Sequence, residues 1–218
     1  KIGKQIDAVT VSIPDHNHAA AAARAIDMGK HAYVQKPLTH TVHEARVLRA
    51  LAAKRKVCTQ MGNQGTALDS LRTGIEIIQS DVIGEVKEVH CWSNRPVWPQ
   101  GKAMTDKFEK GKGAKVPGNF NFDLWLGPAA DRPYNGAYGH FIWRGFWDFG
   151  TGALGDMACH TMNLPFWALG LEYPNSVQAE VPGVYEVTPP EWSTISFDFP
   201  ARKVAKTGKQ LPPVKLTW

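Results

Sequence analysis

Cysteine is scarce and scattered in this sequence, with three among 218 residues, at positions 58, 91 and 159. An odd count without C-x-x-C spacing builds no disulfide framework and supplies no paired metal ligands. Cys159 and His160 are adjacent, so on a helix they point about 100° apart and converge poorly on a metal. Long apolar runs are missing too. None reaches the roughly 18 residues that a membrane-spanning helix needs, and no basic-then-apolar leader opens the chain, so no membrane partner is expected. The compartment stays open. Acidic excess is also absent, since 25 Lys and Arg against 20 Asp and Glu give a formal charge of +5. The cations are nevertheless dispersed, with Lys102, Lys107, Lys110, Lys112 and Lys115 along one loop and Arg46, Arg49, Lys54, Arg55 and Lys56 along one helix. No zinc-finger, RRM or helix-turn-helix pattern organises them, which excludes a nucleic-acid reading.

What is present is a regular opening. "IDAVTVSIP" (6–14) reads as a β-branched strand stopped by proline, and "HAAAAARAIDMG" as a helix closing on Gly29. "HAYVQ" (31–35) is a second strand, ended by Lys36-Pro37. Thr41 and Glu44 form a capping box for a helix to about Lys56, followed by a third strand, "VCTQM". Strand, helix, strand, helix, strand with short links predicts a parallel, doubly wound sheet, with ligands bound outside the strands' carboxyl ends. Those ends supply Pro14, Asp15, His16 and His18, then Gln35 and Lys36, then Asn63 and Gln64. A helix over 66 to about 80 is expected to open on a Thr66-x-x-Asp69 cap. From Gly84 the composition changes. A strand at 85–93, an aromatic, Pro- and Gly-rich stretch over 94–150, a helix over 154–169 and two further strands suggest a second α/β domain. The boundary falls near residue 63, giving domains 1–63 and 64–218. Residues 94–150 read as a functional loop region or substrate wall.

"GTGALGDMACH" (150–160) matches two chemical patterns. G-x-G-x-x-G can cradle a phosphate, but here an aromatic, charged stretch precedes it instead of an apolar strand. Asp156 would also sit in the helix's first turn, where the phosphates belong. Two like charges about 4 Å apart repel by roughly 4 kcal/mol at an effective dielectric near 20. Asp156 and His160 instead stand four apart, placing a carboxylate and an imidazole on one helical face, a pairing suited to moving a proton.

Taken together, "DAVTVSIPDHNH", "VQKPL" and "WRGFWDFGTGALGDMACH", in that order, resemble the glucose-fructose oxidoreductase, inositol dehydrogenase and rhizopine-catabolism (Gfo/Idh/MocA) family. The resemblance implies an α/β protein: a partial Rossmann-like parallel sheet, then an α/β domain with a mainly antiparallel sheet. It implies an enzyme that uses NAD or NADP to oxidise a small carbohydrate, sugar or cyclitol, with homo-oligomers formed through the second-domain sheet. Lys36, Asp156 and His160 match the catalytic positions. Pro14, His18, Gln35, Gln64 and Arg144, with Lys36, are the expected cofactor contacts. Gln35 stands where the family commonly has glutamate. The family's glycine fingerprint and ribose-binding acid should precede residue 1, so the sequence reads as part of a longer chain.

The scheme that follows has His160 and Lys36 share the substrate's hydroxyl proton while Asp156 orients the sugar. Trp92, Trp98, Trp143 and Trp147 could offer flat surfaces to a pyranose. Two alternatives use the same parts: an NAD-dependent glycosidase acting by transient oxidation and elimination, and a noncatalytic sugar-binding or assembly module.

Overall fold

The computed structural model describes residues 3–203 and 208–218. In chain order its elements are β1 (Ala8–Val11), α1 (Asp15–Asp27), β2 (His31–Gln35), α2 (Val42–Arg55), β3 (Thr59–Gly62), α3 (Asp69–Gln79), β4 (Glu88–His90), α4 (Lys102–Gly111), α5 (Phe122–Leu126), α6 (Gly152–Thr161), α7 (Asn163–Leu169), β5 (Ser176–Glu180), β6 (Thr194–Phe199), β7 (Arg202–Lys203), β8 (Gln210–Leu211) and β9 (Val214–Thr217). They form two compact units, each drawn from three segments. The first holds 1–62, 96–156 and 185–189; the second holds 63–95, 157–184 and 190–218.

In the first unit β1, β2 and β3 pair in parallel, in that order, with Ala8 opposite His31 and Ala32 opposite Thr59. Parallel neighbours need a crossover, and α1 and α2 provide the two. The alanines of α1 keep its inner face thin. Ala22 and Ile26 pack with Val11, Ala32, Val34 and Leu48 in one buried cluster. Gly29 takes φ +75° between α1 and β2, a conformation most side chains resist. At the start of α2 both halves of the capping box form: Glu44 N–H donates to Thr41 Oγ1 at 3.2 Å, and Thr41 N–H to Glu44 Oε2 at 2.8 Å.

The stretch 94–150 is more ordered than its sequence suggests. Within it α4, α5 and two short 3-10 turns enclose a second core of Met104, Leu126, Tyr138, Trp143, Phe146 and Phe149. Its aromatic richness therefore serves packing first. Rings meet edge to face, as in Tyr138 against Phe146 with centroids 5.1 Å apart. The five-residue α5 is too short to display a helical period, and the ten residues of α4, among them Lys102, Lys107 and Lys110, form a helix where a loop was expected.

The second unit carries a four-stranded sheet in the order β4-β9-β6-β5. Its β5–β6 and β6–β9 pairings are antiparallel, and β4–β9 is parallel. Leu169, Leu171, Phe199, Val214 and Leu216 form its core, with Ile78 of α3 and Phe166 of α7 packed against them. Three details differ from expectation. The helix anticipated over 154–169 is two, α6 and α7, because Pro165 has no N–H to give Thr161's carbonyl; the Cys91 thiol donates to that oxygen instead, at 3.5 Å. Thr66 does not cap α3. It lies in a 3-10 turn, Gln64–Ala67, and the residue before α3 is Leu68, which makes no side-chain cap. The strand β9 escaped notice because two prolines precede it. No helix among the described residues is long and apolar enough to cross a membrane.

Replacing Thr41 with alanine removes one half of a fully formed cap. Urea unfolding should show a loss of about 1 kcal/mol without a change in slope.

Candidate functional site

The parallel strands of the first unit end at one edge, and the loops beyond them carry the polar side chains. Lys36 follows directly on β2. Its ammonium donates to the backbone carbonyl of Asp156 at 2.8 Å and ion-pairs with the Asp156 carboxylate. The two residues are 120 positions apart in sequence. Asp156 is buried, and the Lys36 side chain retains 19% exposure, enough to meet a bound molecule. Arg144 lies second to this pair, its Nε 3.9 Å from the same carboxylate oxygen. The guanidinium stacks over the Trp143 ring at 4.2 Å from the centroid, which holds the cation in place from one side.

A second carboxylate belongs to the same cluster, and sequence reasoning did not select it. Asp15 opens α1 immediately beyond β1 and is 4% exposed. The Thr151 hydroxyl donates to it at 3.4 Å. Burial raises its pKa from the ordinary 3.8 to about 6, against the opposing pull of His18, Arg144 and Lys36. The available signal was its position: an acid in the first residue after a strand's carboxyl end, among the residues already singled out there.

The remaining expected contacts are distributed unevenly. Gln35, half-buried, packs its side chain against Gly62 so closely that a Cβ on the glycine would meet Oε1 at 2.8 Å. Pro14, half-buried, precedes α1 and makes no side-chain cap. His18 departs from expectation. Its ring is 1% exposed, and both nitrogens face backbone carbonyls, Ile13 and Pro37, at 2.7 Å each. No ring atom is left for a cofactor, so its service is to the loops' own backbone. Gln64 and His160 lie in the second unit, Gln64 exposed on its 3-10 turn and His160 half-buried near the end of α6. Of the four tryptophans, Trp98 and Trp143 are core, whereas Trp92 and Trp147 are exposed.

The glycines at 150, 152 and 155 do not form a phosphate cradle. A Cβ at Gly150 would strike the Arg144 backbone at 2.5 Å, at Gly152 the Pro189 ring at 2.8 Å, and at Gly155 the Thr151 side chain at 2.2 Å. Protein fills the space an anion would need. The first turn of α6 is occupied as well, since Ala153 N–H donates to the buried Gln100 side chain at 3.1 Å. Two further bonds dock this turn: His16 N–H to Phe149 carbonyl at 3.3 Å, and the His40 ring to Gly150 carbonyl at 3.2 Å. The glycines let the chain pass close enough to bring Asp156 to Lys36.

A parallel α/β edge bearing a lysine–aspartate pair defines a class: proteins built on a dinucleotide-binding type of sheet with acid/base groups at its carboxyl end. The chain belongs to the Gfo/Idh/MocA oxidoreductase family. Residues 86–201 match its C-terminal α/β domain, and residues 2–63 match its NAD-binding Rossmann fold. Over 81 residues the chain is 32% identical to Oxidoreductase P35 of Formosa agariphila, covering 37% of this chain and 25% of that protein. Its fold is similar to the WlbA dehydrogenase of Bordetella pertussis, solved with NADH and UDP-GlcNAcA, at TM-score 0.61 and 15% identity over 99% of this chain and 54% of that one. An inositol dehydrogenase homologue from Azotobacter vinelandii, solved with NADH and myo-inositol, aligns at TM-score 0.58 and 16% identity, over 97% of this chain and 44% of that one. The chain thus spans a quarter of the curated relative and about half of the solved ones.

The first unit's residues fit one end of a nicotinamide cofactor. Ile13 presents an exposed apolar side chain, Gln35 an amide and Lys36 an ammonium, groups suited to a nicotinamide ring and its ribose. The glycines at 150, 152 and 155 provide no turn open to a pyrophosphate.

Two outcomes test this description. Asp15 holds its proton more tightly when folded than when unfolded, so its share of stability is present below about pH 4 and lost as pH rises to about 6. Urea unfolding across that window should show a fall on the order of 3 kcal/mol that Asp15→Asn lacks; an equal fall in both proteins would assign it to other groups. Gly150→Ala should cost about 1–3 kcal/mol by overpacking, read in the same assay.

Proposed function

We propose that the chain is part of an NAD(P)-dependent oxidoreductase acting on a secondary hydroxyl of a sugar, glycoside or cyclitol. Residues 1–63 are read as the C-terminal part of its cofactor domain and 64–218 as its substrate and oligomerisation domain, with self-association through the second sheet. The observation that carries the proposal is the pairing of the partly exposed Lys36, at the carboxyl end of β2, with the buried Asp156. A lysine held there by a carboxylate has a fixed reach and a hydrogen-bonding partner for any hydroxyl that enters.

A bound nicotinamide would supply the hydride acceptor or donor. Lys36 would donate to the reacting oxygen and help carry away its proton, and His160, one turn after Asp156 on α6, is the proposed base. Asp156 holds the Lys36 ammonium and orients the substrate. Gln35, Pro14 and Gln64 are the residues that would hold the cofactor. Arg144, fixed on Trp143, offers a planar donor to a phosphate or carboxylate. The myo-inositol and UDP-sugar acid bound by the two solved neighbours support a polyhydroxylated substrate class.

The test uses the full-length protein with NAD+ or NADP+ and a panel of pyranoses and cyclitols. Reduced nicotinamide should accumulate with at least one of them, and Lys36→Met should lower kcat by about a hundredfold or more while changing cofactor affinity less. A sugar-dependent fluorescence change without any reduced cofactor would overturn the proposal in favour of a binding module. Released sugar without net reduction would favour the oxidative glycosidase.

A further inference from the structure

His18 sits where a neutral histidine does not fit. Its Nδ1 is 2.7 Å from the Pro37 carbonyl and its Nε2 is 2.7 Å from the Ile13 carbonyl. Carbonyl oxygens only accept, and a neutral imidazole carries a single N–H. Its bare nitrogen would therefore face an oxygen, lone pair to lone pair, at hydrogen-bonding distance. A ring protonated on both nitrogens satisfies both carbonyls, and 2.7 Å falls at the short end of the charge-assisted range.

The location makes a lone cation costly. The ring is almost fully buried, and it lies in the first turn of α1, where the helix dipole opposes positive charge. Lys36 and Arg144 act together with His18 on Asp15, so the charge group that includes His18 holds two further cations and two acids. One of these, Asp156, already pairs with Lys36. The other is Asp15, three residues before His18 on the same helix and buried with it.

We infer that His18 is a fixed imidazolium, counter-charged by Asp15, which clamps the backbone beyond β1 to the backbone beyond β2 and so acts as a positioning residue for Lys36. Ile13 lies two residues past the end of β1, and Pro37 directly follows Lys36. A clamp holding both carbonyls sets where the Lys36 side chain starts. Its stem then reaches Asp156 from a turn that cannot drift. The clamp and its charge stand on this geometry alone. That the lysine so positioned works on a hydroxyl rests on the oxidoreductase proposal above.

The experiment uses the full-length protein, labelled with 15N, and long-range proton–nitrogen correlation spectra of its histidine rings at pH 7. His18→Gln identifies the His18 signals. The expected wild-type result is a ring with both nitrogens protonated. In Asp15→Asn that ring should change to one protonated and one bare nitrogen, while Asp15→Glu keeps the doubly protonated form. A bare nitrogen on wild-type His18, or an unaltered ring in Asp15→Asn, would overturn the inference; the wild-type spectrum decides even where a variant fails to fold. Lys36 is followed in parallel by limited acetylation with acetic anhydride and peptide mass spectrometry. Labelling should rise severalfold in Asp15→Asn as the turn loosens, and unchanged labelling would remove the positioning role. Neither readout uses turnover, so an inactive full-length enzyme would sink the oxidoreductase proposal and leave this one intact.

Discussion

The first unit's chemistry depends on one ion pair. Lys36 and Asp156 come from segments 120 residues apart, and each is largely withdrawn from water. Such a pair is an uncertain source of net stability, because desolvating two ions consumes much of what their attraction returns. Its value lies in fixing geometry. The ammonium meets both the carboxylate and the backbone carbonyl of one residue, so two contacts define its position. Around it the fold arranges support: the glycine turn brings Asp156 near, and the loops beyond β1 and β2 are tied to that turn by His16 and His40.

The surrounding charges extend the same logic. Two acids, Asp15 and Asp156, face Lys36, Arg144 and His18 in a region of low exposure. Burial drives the Asp15 pKa upward, and His18, Arg144 and Lys36 pull it back toward the anion. Each carboxylate thus has a distinct employment, one toward the lysine and one toward the imidazole and the Thr151 hydroxyl. Arg144 adds a guanidinium that an aromatic face restrains without neutralising it.

Much of this was legible in the residues. The alternation of β-branched runs with helix-forming ones gave the parallel sheet, because periodicity and capping are local properties; Thr41 and Glu44 close the box that their spacing predicts. Lys36 and Asp156 could be selected as a pair only through family resemblance, since their meeting is a tertiary event. The limits were equally physical. Asp15 was visible as an acid at a strand end, but its burial is a tertiary outcome, with the Thr151 hydroxyl reaching it from 136 residues away. His18 has the residue type of a ligand contact, and only the two carbonyls beside it reveal otherwise. The strand β9 depends on pairing with β4, distant in sequence, whereas the break between α6 and α7 follows from Pro165, a local signal.

The glycine run at 150–155 carries a wider lesson about how signatures arise. What the three positions share is the absence of a side chain where a neighbour passes, and the neighbours are an arginine backbone, a proline ring and a threonine side chain. A spacing known from nucleotide loops can therefore emerge from crowding by the protein itself. Surveys that annotate cofactor sites by glycine spacing would misassign this segment, whereas a search that asks what occupies each missing Cβ would separate the two origins.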